Sequence, residues 1–238
     1  MKNICLGIII FARLGSKRLP KKVLKKIGHK SLLEITIERA KKVKGIDKIV
    51  IASPNIEIDR KKISEIAKKN KIYFFCGSNK NVYLRAKNCC ERYNFTHFIR
   101  LNADRPFFDY DLANYFTKKR FFNYDLVTNN LKKNAPKGLT MELIKFKNFK
   151  KFKNMTKNEK EHICNYFYNK PKKFKIFNVN KKIYNINKNL SLGLDNKEDL
   201  FLTRKIFKTF NFNYLINLKK IILHYKKLIN KGEIYKNK

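Results

Sequence analysis

An alternation governs what this chain can fold into. Short apolar runs recur along residues 4–128, each followed by a segment whose apolar residues fall at helical spacing. That order specifies a mostly parallel α/β sheet with helices on both faces. Strands are expected at Ile4–Phe11, Lys48–Ala52, Ile72–Phe75, His97–Leu101 and Leu126–Thr128. Helices are expected from Ser31, whose Ser-x-x-Glu34 spacing makes a capping box, and at Asp59–Lys69, Asn81–Tyr93 and Asp111–Arg120. Beyond Asn130 the pattern loosens. Met141–Phe146, Lys175–Val179 and Leu190–Leu194 read as strands, and Asn158–Tyr168, Asn196–Phe210 and Leu215–Asn230 as helices. The last carries Leu218, Ile221, Ile222, Tyr225, Leu228 and Ile229 on one face and lysines on the other, and is expected to pack on its own domain.

The first apolar run ends in a loop holding Arg13, Gly15, Ser16, Lys17, Arg18 and Lys21, with Lys22 just beyond Pro20. A parallel strand buried on both faces has such a continuous run, and doubly wound sheets bind ligands at the carboxyl ends of their strands. Small residues let backbone N–H groups approach a phosphate while Arg and Lys neutralise it. The loop therefore suits a polyanion such as a nucleoside triphosphate, although a solvated basic turn remains the plain alternative. Neither G-x-x-x-x-G-K-[S/T] nor G-x-G-x-x-G occurs. A signal-peptide reading, with Lys2 as its charged region, lacks a small-x-small cleavage site.

Composition adds limits. Five cysteines without C-x-x-C spacing, and four scattered histidines, argue for reduced thiols in a cytoplasmic protein and against a zinc site. The net charge of +39 invites a nucleic-acid partner. Yet only 10 of the 57 basic residues are Arg, and the favoured Lys, Asn, Ile and Phe all have A/T-rich codons. The lysines also spread over every expected helix, so no dedicated nucleic-acid partner is expected, and no run is long enough to span a bilayer.

Asp104 directly follows the strand His97–Leu101, at the same sheet end as the cationic loop. Beside a triphosphate it could hold Mg²⁺, a hard ion that takes oxygen ligands; otherwise it forms a turn before Pro106. Asp195, in LSLGLDNKEDL, is a metal ligand or a helix N-cap. Asp109-Tyr110-Asp111 matches the D-x-D metal motif of many glycosyltransferases, but it opens a helix and reads better as a cap.

With these residues in hand, the chain resembles the CMP-sugar synthetase group of cytidylyltransferases, especially its spore coat polysaccharide biosynthesis branch. It is also similar to acylneuraminate and 3-deoxy-manno-octulosonate cytidylyltransferases. IIIFARLGSKRLPKKVL resembles the family's strand and A-R-x-x-S-x-R-L-P-x-K loop; FFCGSNKNVYLRA resembles G-S-x-x-D-V-L-x-R, and RLNADRPFFD resembles G-D-x-P-L-I-D. YDLVTNN, KGLTMELI, NEKEHICNYFY and LSLGLDNKEDL follow in the family's order. The resemblance covers residues 4–210 and implies a Rossmann-like, GT-A-like nucleotide-diphospho-sugar transferase fold with a small α+β insertion.

It also implies roles. Arg13, Ser16, Arg18 and Lys22 would contact the CTP phosphates, Ala12 and Gly15 would also bind the nucleotide, and Arg13, Lys22 and Asp104 would be catalytic. Gly77, Ser78 and Arg85 would lie by the cytidine; Asp104 and Asp195 would bind Mg²⁺; Arg105, Glu142, Glu161 and His162 would face the sugar. The implied reaction is attack of a sugar hydroxyl on the α-phosphorus of CTP with release of pyrophosphate, serving surface polysaccharide synthesis. Rival readings are a glycosyltransferase with the same core and a non-catalytic basic binding protein. Residues 1–212 would form the nucleotidyltransferase domain, 131–180 an insertion or homodimerisation segment, and 213–238 a C-terminal helix and tail. The chain departs from the family pattern at Lys21 and Ala103, where Gly is usual, at Asn81 and Thr140, where Asp is usual, and at Arg105, Gly193 and Leu194.

Overall fold

Buried β-branched and leucine side chains on alternating sides of the first strand set up two cores at once. The computed structural model describes residues 4–132, 135–179 and 190–230. In chain order its elements are β1 (Leu6–Phe11), a hairpin of β2 (Lys26–Ile27) and β3 (Lys30–Ser31), α1 (Leu32–Ala40), β4 (Lys48–Pro54), α2 (Glu57–Lys69), β5 (Tyr73–Gly77), α3 (Val82–Arg92) and β6 (His97–Asn102). Then come α4 (Tyr110–Phe116), β7 (Leu126–Thr128), β8 (Glu142–Lys145), α5 (Phe146–Phe149), α6 (Lys157–Glu161), α7 (Asn165–Asn169), β9 (Ile176–Asn178), α8 (Lys197–Thr209) and α9 (Leu218–Asn230).

Seven strands form one sheet in the order β5-β4-β1-β6-β8-β7-β9. β8 alone runs against the others, pairing antiparallel with both β6 and β7. Ile8 and Ile10 of β1 join Leu33, Ile37, Ile63 and Leu112 of α1, α2 and α4 in one core. Ile9 joins Ala86, Cys89, Phe149 and Phe167 of α3, α5 and α7 in the core on the opposite face. A third cluster packs α8 and α9 over the hairpin through Ile27, Phe107, Phe207, Tyr214 and Ile221.

The chain leaves β1 toward β4 on one side and reaches β6 on the other, with Phe11 opposite Asn102 in register. This is a topological switch point, where strand-end loops diverge and leave a crevice. The loops after β1 and after β6 border it, so the fold itself brings the cationic loop and Asp104 together.

The second half departs from expectation. Asn158–Tyr168 is two short helices, α6 and α7, because His162 leaves helical geometry at φ −108° and ψ 76° and the buried Ile163 and Cys164 turn into the core. Leu190–Leu194 is extended, but it joins no strand of the sheet: it makes an isolated bridge between Ser191 and Lys137 and a single bond from the Leu194 amide to the Asp104 carbonyl. Its period of two comes from burying Leu190, Leu192 and Leu194 in the C-terminal core, not from sheet pairing. The helix expected to reach Arg120 ends at Phe116, and a 3₁₀ turn follows at Lys119–Phe121. Met141–Phe146 is strand only from Glu142 to Lys145, and Phe146 opens the unforeseen α5. Within residues 131–180, expected as an insertion, β8 and β9 are strands of the main sheet. Lys2 and residues 231–238 of the expected tail lie outside the described residues. No helix among the described residues is long and apolar enough to cross a membrane.

Candidate active site

The loop after β1 is pinned at Leu14 and Leu19, both buried. The Leu14 amide donates to the buried Asp59 carboxylate of α2 at 3.0 Å, while its carbonyl accepts from the amides of Ser16 and Lys21. The side chains of Arg13, just before the first anchor, and of Lys17 and Arg18, between the two, are exposed. They border a cavity of about 630 Å³ at the switch point, also lined by Ala12, Gly15, Ser16, Lys22, Arg85, Arg100, Asn102, Asp104, Glu161, His162 and Asp195.

Asp104 and Asp195 converge here across 91 residues of sequence. The Leu194 amide donates to the Asp104 carbonyl at 3.0 Å, which fixes the two segments side by side. Lys22 Nζ then lies 2.7 Å from Asp104 Oδ2, 3.0 Å from Asp195 Oδ1 and 3.1 Å from the Leu194 carbonyl oxygen. Burial lowers the Lys22 pKa, but the two carboxylates outweigh it and the net direction is up. Burial acts on Asp195 in the opposite sense, yet hydrogen bonds from Lys137 and Lys22 hold its carboxyl at about 2. Arg18 and Lys137 reach its other oxygen at 3.1 and 2.7 Å. Asp195 is not a helix cap: Asn196 caps α8 in a reciprocal box with Asp199. Its carboxylate is thereby left to face the cations.

The donor set fits a small divalent ion: two carboxylates already share one cation, and hard oxygen donors suit Mg²⁺. Among the described residues no group of three or more His, Cys, Asp or Glu side chains could hold a metal, so other oxygens would have to complete the shell.

Arg85 of α3 is buried, and its Nε and Nη2 donate to the Ser78 carbonyl at 3.0 and 2.8 Å. Burial, with the Arg13 charge adding to it, lowers its pKa to about 10. Gly77 and Ser78 do not line the cavity; Ser78 instead aims Arg85 at it. Asn81, where the family pattern has Asp, caps α3 by accepting from the Leu84 amide. Glu161 faces Arg13 across the opening at 3.5 Å.

Two expected sugar-side residues stand elsewhere. Arg105 is buried, and its guanidinium is spent on the Thr140 carbonyl and hydroxyl. Glu142 is buried beneath the cavity, accepting from Arg100 and from the Tyr168 hydroxyl. Asp109 caps α4 and Asp111 accepts from Asn217, so the D-x-D pair does not border the cavity. Burial raises the Asp109 carboxyl to about 6.

Sequence reasoning missed Arg100, Asn102, Asp59 and Lys137. For the first two a signal existed: polar residues two apart at the end of an apolar strand share one face with the position that leads to Asp104. Nothing local distinguishes Asp59 or Lys137, whose partners lie 45 and 58 residues away.

A family model described as cytidylyltransferase matches residues 7–229. The chain is 34% identical over 216 residues to the uncharacterized protein MJ1063 of Methanocaldococcus jannaschii, covering 88% of this chain and 85% of that one. It is 30% identical over 175 residues to the spore coat polysaccharide biosynthesis protein SpsF of Bacillus subtilis, covering 71% and 72%. Among solved structures, a cytidylyltransferase from Leptospira borgpetersenii superposes with a TM-score of 0.86 at 24% identity, covering 99% and 98% of the two chains. A CMP:2-keto-3-deoxy-manno-octonic acid synthetase complexed with CTP superposes with a TM-score of 0.62 at 14% identity, covering 86% and 99%. These two likenesses are of fold.

Proposed function

The chain belongs to the cytidylyltransferase family, and on that footing we propose that it activates a sugar, acidic or otherwise modified, as its CMP derivative with release of pyrophosphate. One observation carries this reading: Arg13, Ser16, Arg18, Lys22, Asp104 and Asp195 line a single cavity at the switch point. Six cationic and three carboxylate side chains border it, an excess of positive charge matched to a triphosphate.

The roles follow from position. Arg13, Lys17 and Arg18 would neutralise the phosphates while the open backbone at Gly15 approaches them. Arg85, fixed by Ser78, would border the nucleoside. Asp104 and Asp195 would hold the divalent ion, which when bound offsets charge on the triphosphate. The sugar hydroxyl oxygen forms a bond to the α-phosphorus and gives its proton to water, the bond from that phosphorus to the bridging oxygen breaks, and pyrophosphate leaves with the electron pair. Such displacement needs alignment and charge neutralisation more than a strong base.

Arg100 supports an anionic acceptor. It lines the cavity with five N–H donors, yet among the described residues its guanidinium makes one hydrogen bond, 3.5 Å long, and its Nε is buried without a partner. A carboxylate on the sugar would add a second anion to the long pair that Arg100 makes with Glu142. The relatedness to a spore coat polysaccharide protein supports a role in surface glycan synthesis.

Pyrophosphate release from CTP with a panel of acidic and neutral sugars tests the proposal. The expected result is CTP- and sugar-dependent release, with Asp104→Ala lowering it at least about a hundredfold while remaining folded. Preference for UTP or GTP, or no pyrophosphate, overturns it.

A further inference from the structure

Lys22 sits where a nucleotide-binding lysine has no business resting. An ammonium has three N–H donors, and here all three are taken, by Asp104, Asp195 and the Leu194 carbonyl. None is left for a phosphate. Its side chain is 13% exposed, the most enclosed of the cations paired with either carboxylate; Arg18 and Lys137 are 66% and 55% exposed. Asp104 has Lys22 as its only ion-pair partner among the described residues.

We propose that Lys22 is a positioning residue that stands in for the divalent ion between Asp104 and Asp195, and that ion binding displaces its ammonium toward the nucleotide phosphates. The inference rests on the metal-dependent reading above. Without Lys22, two carboxylates held together by the bond between Leu194 and Asp104 would repel each other, and the gap would not be kept. A flexible four-carbon stem, rooted at the start of a 3₁₀ turn, lets the ammonium swing. An ion entering alone must push that charge into a cavity already rich in cations. With a triphosphate present the displaced ammonium gains a new partner. Ion and nucleotide therefore bind with positive coupling, each tightening the other by the same factor.

The test uses Mn²⁺ alone as probe, followed by electron paramagnetic resonance in low salt, without turnover. Lys22→Met should bind Mn²⁺ about tenfold more tightly than the native chain, and the tightening of Mn²⁺ by CTP should shrink by a similar factor. Lys137→Met removes an exposed partner of Asp195 and should change Mn²⁺ affinity much less. Unchanged or weaker Mn²⁺ binding by folded Lys22→Met, or an equal gain in Lys137→Met, overturns the proposal. If Lys22→Met does not fold, native protein decides: reductive methylation of Lys22, read by peptide mass spectrometry, should accelerate when Mn²⁺ is added, and an unchanged rate overturns the exchange. The two readings fail separately. Unaltered Mn²⁺ affinity in Lys22→Met with CTP turnover by the native chain removes the exchange alone; tighter Mn²⁺ binding in Lys22→Met with no pyrophosphate from CTP by the native chain removes the cytidylyl reading alone.

Discussion

Lys21 shows what a single departure from a family pattern means physically. It adopts the left-handed region at φ 53° and ψ 33°, at the entry to the turn that carries Lys22. A side chain with a Cβ is strained there by roughly 1–2 kcal/mol, which explains why glycine is the usual occupant. Lys21→Gly should raise stability by up to about 1 kcal/mol, since relief of strain exceeds the added chain entropy. Urea unfolding reads this directly, and a loss of stability would contradict it. Glu34 is a second residue with a measurable consequence. Burial pushes its carboxyl up, but bonds from the Ser31 amide and hydroxyl, with Lys69 and Lys26 nearby, bring it from 4.5 to about 2. A depressed folded value means stability that is fully present above pH ~4.5 and lost as pH falls toward about 2, at most about 3 kcal/mol. Glu34→Gln should flatten that part of the acid limb. Equal acid sensitivity in both proteins would show that the bond network at Ser31 is not responsible.

At the level of elements, the strap carrying Lys137 lies backbone against backbone on the segment before Asp195. Gly138 has φ +86°, and a Cβ placed there would come within 2.3 Å of the Gly193 nitrogen. Backbone cannot yield as a side-chain tip can, so Gly138→Ala should destabilise by about 1–3 kcal/mol and separate Lys137 from Asp195. Chemical denaturation checks the first effect; a variant as stable as the native chain would mean the strap can lift without loss. Contacts of this sort explain where the sequence was legible and where it was not. β1, β4 and β6 could be read because each is a local apolar run buried on both faces, and α1 because Ser31 and Glu34 cap it within one turn. Leu190–Leu194 misled because alternate burial looks the same whether the cover is a sheet or two helices. Asp104 was legible from the strand before it. Arg105 was not, since its neighbour Thr140 decides its direction from 35 residues away.

Across the whole molecule, one arginine ties three regions together. Arg39 of α1 is fully buried, donating to the Phe108 carbonyl at 2.8 Å and to the Tyr214 and Ile216 carbonyls at 2.7 and 3.0 Å. Burial lowers its pKa to about 10, and among the described residues its Nη2 has no hydrogen-bond partner. Arg39→Met should leave those carbonyls unsatisfied, lower stability by about 3 kcal/mol or more, and speed proteolysis between α8 and α9. Native-like cleavage kinetics at that junction would show that the apolar cluster alone holds the C-terminal helices.

The reversed strand has a different consequence. Its neighbours finish at the rim of the crevice, whereas β8 begins there, with Glu142 opposite Arg100. The chain therefore enters β8 at the end of the sheet that borders the cavity, through the pair Arg100 and Glu142. The segment just upstream of β8 is tied down as well, by the Met141 amide on Asn129 and by Gly138 against Gly193, so a change of length there would be felt at the Glu142–Arg100 pair beside the cavity.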